Sequence, residues 1–83
     1  MASYSLRIKP SAVEEIEAVP KRDRRRIVSR IQALADNPRP AGCEKLAGGD
    51  KYRVRQGRYR ILYSVSDTDL VVVVVKVATS ARP

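Results

Sequence analysis

The sequence predicts an α+β fold of two layers, in the order β-α-α-β-β-β, with a helical hairpin packed on a mainly antiparallel sheet. Two segments of helical periodicity fill the first half of the chain, alternation of period two runs through residues 52–65, and a continuous valine run follows. Helices that precede a group of strands gather on one side of the sheet they cover. With 83 residues the chain sustains one core and buries roughly 60–65% of its unfolded surface. Residues 1–83 are therefore read as a single domain whose working surface is expected to be shallow.

Residues 4–8 alternate Tyr, Ser, Leu, Arg, Ile, the pattern of a short half-buried strand ended by Pro10. Ser11 stands three residues before Glu14, a capping-box spacing, so a first helix is expected from Ser11 to Ala18. Pro20 suits the first turn of a second helix. Ile27, Val28, Ile31, Leu34 and Ala35 form its apolar stripe, Arg22, Arg25, Arg26 and Arg30 lie opposite, and Asp36-Asn37 ends it ahead of Pro38 and Pro40. Residues 37–51 hold two prolines, three glycines and little apolar content, which predicts a surface loop anchored by Leu46. Tyr52, Val54 and Gln56 then alternate with Arg53 and Arg55, Gly57 marks a tight turn, and Tyr59, Ile61, Tyr63 and Val65 alternate with Arg58, Arg60, Leu62 and Ser64. The last strand is expected over Leu70–Val77, and its unbroken Val71–Val75 run predicts a central strand covered on both faces.

Charge narrows the classes of partner. Seventeen Lys and Arg against nine Asp and Glu give a net charge of +8, a balance that favours polyanions. The excess sits in two blocks: residues 21–36 with six basic and two acidic side chains, and residues 52–60 with four arginines. The single cysteine, Cys43, excludes an internal disulfide, and the absence of histidine removes the usual metal-ligand spacings, so neither a metal nor another cofactor is expected. The N-terminus has no apolar signal stretch, and the apolar run Leu70–Val75 is too short to span a bilayer. A cytoplasmic protein with no membrane association is expected.

The alternation in 52–65 puts the tyrosines, Val54 and Ile61 on the helix side and leaves Arg53, Arg55, Arg58 and Arg60 on the other. Like charges at cross-strand distance repel, so these groups either splay into water or receive an anion. The density of arginine favours the anion, because a planar guanidinium fork matches two phosphate oxygens at once. Cleaving RNA also requires a proton acceptor for the 2′-hydroxyl and a donor for the leaving oxygen. Lys45 would serve if surrounding positive charge depressed its pKa, whereas Tyr52, Tyr59 and Tyr63 are placed to be core residues. The residues themselves point to binding and merely permit catalysis.

The stretch from Glu44 to Tyr63 carries Lys45-Leu46-Ala47-Gly48, then Tyr52-Arg53-Val54-Arg55, then Gly57-Arg58-Tyr59-Arg60-Ile61-Leu62-Tyr63. It closely resembles the signature of RelE/ParE superfamily toxins of type II toxin–antitoxin systems, in particular the RelE-like branch. With the element order and the length, the resemblance covers almost the whole chain. It implies an mRNA interferase, a ribosome-dependent endoribonuclease that inhibits translation with basic residues in place of histidines. Its implied partners are the ribosome and messenger RNA, a RelB-like antitoxin, and operator DNA only through the antitoxin complex. A non-catalytic antitoxin-binding co-regulator and a ParE-like inhibitor of DNA gyrase are the alternatives on the same scaffold.

Position by position, the resemblance makes Arg60 the contact to the scissile phosphate. It places Arg53 and Arg55 where the family carries basic residues for phosphate binding and proton transfer, and Lys45 at the basic position of the Lys-Leu motif. Arg58, Arg22, Arg25, Arg26 and Arg82 are the expected RNA-binding residues around that centre. The chain departs from the family after its last strand. Thr79 and Ser80 stand where the family has a His or Lys followed by a catalytic arginine, and the usual Tyr has no counterpart. The resemblance thus implies impaired catalysis, and a one-base deletion in an ancestral Gly-His-Gln-Arg coding frame would generate this ending.

Overall fold

The computed structural model describes residues 3–79. Its elements are β1 (Ser5–Ile8), α1 (Pro10–Glu17), α2 (Lys21–Ala33), β2 (Glu44–Lys45), β3 (Lys51–Gln56), β4 (Tyr59–Ser66) and β5 (Val71–Thr79). Five strands form one sheet in the order β1-β5-β4-β3-β2. β1 runs parallel to β5, and the other neighbours are antiparallel. The two helices lie against this sheet, α1 on β5 and α2 on β3 and β4. This is the two-layer α+β architecture expected, with one additional two-residue strand at the edge.

The core is the seam between the layers. Ala12 and Ile16 of α1, Val19 between the helices, Ile27 and Ile31 of α2, and Leu34 meet Tyr52, Val54, Tyr59, Ile61, Tyr63, Val65, Val72, Val74 and Val77 from the sheet. The buried residues are the even positions of β3 and the odd positions of β4, because successive strand side chains point to opposite faces. Arg24 reaches back from α2 to donate to the carbonyls of Glu17 and Val19 at 3.1 and 3.2 Å, satisfying acceptors left open where α1 ends. That arginine joins the helical hairpin, and no purely electrostatic reading of the basic block identifies it.

Several boundaries differ from the sequence expectation. α1 begins at Pro10, in its first turn, with Lys9 as the capping residue and no side-chain cap. Ser11 therefore lies inside the helix, and the capping box does not form, because proline already supplies the helical φ one residue earlier. Leu70 is outside β5, in a turn with φ +56°. Pro38, rather than Leu46 alone, fastens the 37–51 segment: it is buried and its carbonyl accepts the Tyr63 hydroxyl at 2.7 Å.

The valine run is central in the sheet but covered on one face only. Val72 and Val74 are buried while Val71, Val73 and Val75 are half-buried on the side without helices. Tyr63 pairs with Val74 and Leu62 with Lys76, so Val75 is the extra residue of a β-bulge. The bulge changes the parity of the strand and returns Val77 to the core.

Candidate functional site

The sheet face that the helices leave bare carries the arginine cluster. The β3–β4 register sets Arg55 opposite Arg60 and Arg53 opposite Leu62. On its other side Arg60 faces Ala78 of β5, whose methyl group leaves room beside the guanidinium. Arg53, Arg55 and Arg60 line an open cleft of about 340 Å³ together with Glu44 and Gly42. Among the described residues, neither Arg55 nor Arg60 has a carboxylate within ion-pair distance. The Arg60 Nε is buried without a hydrogen-bond partner, as are those of Arg24 and Arg30, and an unsatisfied buried donor costs free energy.

Glu44 enters from β2. Its backbone pairs with Arg53, and its carboxylate accepts from Arg53 Nε at 2.9 Å and from the same guanidinium's terminal nitrogen. Hydrogen bonding from Arg53, with Arg55 adding attraction, holds the Glu44 carboxyl below the usual carboxylate range. The strand that delivers it is set by a turn through Gly48 and Gly49, both at positive φ, closed by a bond from Leu46 N–H to Lys51 carbonyl at 2.9 Å. Sequence reasoning treats 37–51 as loop and misses Glu44. The Gly-Gly pair flanked by Lys45-Leu46 and Lys51-Tyr52 is the hairpin signal that would have found it.

The approach to β2 is braced at the far end of the sheet. Arg39 grips both carboxylate oxygens of Asp67 at 3.2 and 2.8 Å, donates its Nε to Tyr52 Oη at 3.0 Å, and lies 5.2 Å above the Tyr52 ring. Tyr4 completes the network with a 2.6 Å bond to Asp67. Arg39 and Tyr4 together hold the Asp67 carboxyl below its ordinary value. Tyr63 stacks on Tyr52 with ring centroids 5.8 Å apart, and burial pushes its hydroxyl pKa well up. These tyrosines are core residues.

The structure brings together three of the expected site residues, Arg53, Arg55 and Arg60. Arg58 occupies the two-residue turn with Gly57, whose φ is +61°, and projects at the exposed end of the hairpin. Lys45 pairs with Tyr52 and so shares the helix-side face of the sheet, away from the cleft. The expected place of Lys45 beside the arginines is thereby corrected: in a strand, it must point opposite to Glu44. Arg22, Arg25 and Arg26 line a separate exposed surface on α2, and Arg30 borders it with Gln56. Arg82 lies outside the described residues, as does Ser80.

A family model of ParE toxins from type II toxin–antitoxin systems matches residues 6–83. The chain belongs to the ParE/RelE toxin family. Among solved structures, a chain of the archaeal RelE–RelB complex from Pyrococcus horikoshii OT3 is 31% identical, with 98% of this toxin and 99% of that chain covered at a TM-score of 0.89. The toxin–antitoxin complex RelBE2 of Mycobacterium tuberculosis gives 25% identity, coverage of 99% and 97%, and a TM-score of 0.85. The isolated RelE toxin of E. coli, at 23% identity and a TM-score of 0.86 over 98% of this chain and 88% of its own, shares the fold. No curated protein gives a significant match. Among the described residues, no helix is long and apolar enough to cross a membrane.

Proposed function

We propose that this toxin inhibits translation as a RelE-like mRNA interferase, gripping messenger RNA on the arginine face of its sheet. The observation that carries the reading is the register that sets Arg55 against Arg60 on the helix-free face, neither of them in an ion pair among the described residues. Arg60, at the floor of the cleft, takes the phosphate undergoing attack, and Arg53 and Arg55 offer forked donors to the same or the next phosphate. Such donors stabilise the charge that accumulates as the phosphate becomes crowded. Guanidinium groups stay protonated, so these three residues supply charge stabilisation and not a base. Thr79 and Ser80, where the family carries basic residues, supply no such base either, and the toxin is expected to hold RNA more effectively than it cuts it.

Arg22, Arg25 and Arg26 on α2, with Arg58 at the hairpin tip, extend the contact to ribosomal RNA. A RelB-like antitoxin is the protein partner, by likeness to the relatives crystallised with RelB, and operator DNA is reached through that complex. Primer extension on a ribosome-bound messenger tests the reading. Cleavage or a protected footprint in the A site, lost in Arg60→Ala, is the expected result, and an identical pattern with and without toxin would overturn it. The match to the ParE family model favours a second target, DNA gyrase, which an assay of supercoiling inhibition distinguishes.

A further inference from the structure

We propose that Lys51 forms a second phosphate-binding point on the toxin's sheet, about 13 Å along β3 from the Arg55–Arg60 pair, so that single-stranded RNA lies extended along that β-strand. The proposal rests on the reading of the arginine face as an RNA site and assigns the direction in which the bound chain leaves it.

β3 reads Lys51-Tyr52-Arg53-Val54-Arg55-Gln56. Tyr52 and Val54 are buried on the helix side, so Lys51, Arg53 and Arg55 form one row on the opposite face, with successive members roughly 6.6 Å apart. Like charges at this range repel, and the row needs a reason. Edge protection, a common role for a strand lysine, does not apply, because β3 lies inside the sheet. On one side Lys51 pairs with Ser64 of β4, and on the other its carbonyl accepts the Leu46 N–H at 2.9 Å. Nor does Lys51 serve a carboxylate: it is exposed and makes no ion pair among the described residues.

Glu44 divides the row. Its bonds to Arg53 offset the charge in the middle and leave two open cationic points, Arg55 with Arg60 at one end and Lys51 at the other. The separation matches the reach of two nucleotide units in an extended single strand. The ground beside the row is uncharged: Leu62 stands opposite Arg53, Ser64 opposite Lys51, and Val73 beyond Ser64, all of them half-buried. A backbone laid on the β3 row therefore has space to turn its bases across β4. A basic track beside a surface for the bases holds single strands without reading their sequence, and because Leu62, Ser64 and Val73 offer no aromatic ring, the grip comes from the phosphates.

Two ligands test this: a dinucleoside monophosphate, whose one phosphate fills the arginine point, and an RNA tetranucleotide with three internucleotide phosphates, long enough to reach Lys51. Affinities are measured by NMR titration at several salt concentrations, and the RNA is checked for integrity afterwards. Lys51→Ala should weaken the tetranucleotide roughly three- to five-fold, the scale of an exposed ion pair. It should also reduce the slope of log affinity against log salt by about 0.7, while the dinucleoside is bound as before. Lys51→Arg should restore both quantities. Lys45→Ala removes the same charge from the adjacent strand on the helix side and should change neither ligand, whereas Arg60→Ala should weaken both. A tetranucleotide bound equally by wild type and Lys51→Ala would rule out the second point, as would an equal loss for both ligands or a matching loss in Lys45→Ala, with the Arg60→Ala result still upholding the first point. If Arg60→Ala leaves both affinities unaltered, the reading of the face as an RNA site fails instead.

Discussion

Arg60 sits on the central strand between Arg55 and Ala78, with a buried Nε that has no acceptor. Because its guanidinium makes no ion pair among the described residues, Arg60→Ala should leave the folding midpoint nearly unchanged while RNA affinity falls roughly ten-fold or more. The slope of log affinity against log salt should shrink by about 0.7, the share of one phosphate contact on a single strand, and anisotropy titrations at several salt concentrations read both quantities. Tyr63 behaves oppositely. Its hydroxyl bonds the Pro38 carbonyl in the core, so Tyr63→Phe should cost about 1–3 kcal/mol in urea unfolding by stranding that acceptor, with RNA binding retained. The grouping of Arg53, Arg55 and Arg60 was legible in the sequence because strand parity alone decides it. Arg58 was not, since the residues of a two-residue turn leave the alternation. Lys45 was expected at the site and Glu44 was missed because a strand of only two residues shows no period to read.

At the level of elements, β5 is where periodicity concealed the geometry. Five consecutive valines carry no alternation, so nothing in the sequence marks Val75 as the bulged residue or shows that only one face is covered. The pairing shows both: Val72 and Val74 point inward, Val75 is passed over, and Val77 points inward again. Deleting one valine yields the same chain whichever of the five is removed. The shortened strand can run as a regular ladder with Val77 still in the core, so it is expected to fold with a thermal midpoint only a few degrees lower, roughly 1 kcal/mol at this chain length. Circular dichroism melts check this, and a variant that fails to fold would refute the assignment of the bulge. α1 contributes Glu15, which accepts from the Val77 N–H at 2.8 Å and pairs with Lys76 at 3.1 Å beyond the end of β1. The helices were legible from the 3.6-residue period, and their starts were not, because a proline and a capping serine compete within two residues.

For the whole molecule, three carboxyls set the response to acid. Glu15 is held below its ordinary value of 4.5 by the Val77 N–H and Lys76, Asp67 below 3.8 by Arg39 and Tyr4, and Glu44 below 4.5 by Arg53. A folded pKa below the unfolded one gives stability that is present above the unfolded value and lost as pH falls through the folded value. Unfolding free energy should therefore be level from about pH 5 to neutrality and decline below it. Protonation also increases a net charge that is already +8, which adds self-repulsion in the compact state. Asp67→Asn combined with Glu15→Gln should flatten the acid limb of the urea-unfolding profile, and an unaltered limb would exclude these two groups as its origin. The fold class as a whole followed from the order of periodic segments, since the layers need only one apolar face from each. Alternation along β3 and β4 has a last consequence: positions 53, 55 and 60 all lie on the face opposite the core, so they can be rewritten while the core residues stay the same. Such a scaffold is free to acquire new targets by exchanging a handful of surface side chains, with retargeting and folding written in alternate letters of the same two strands.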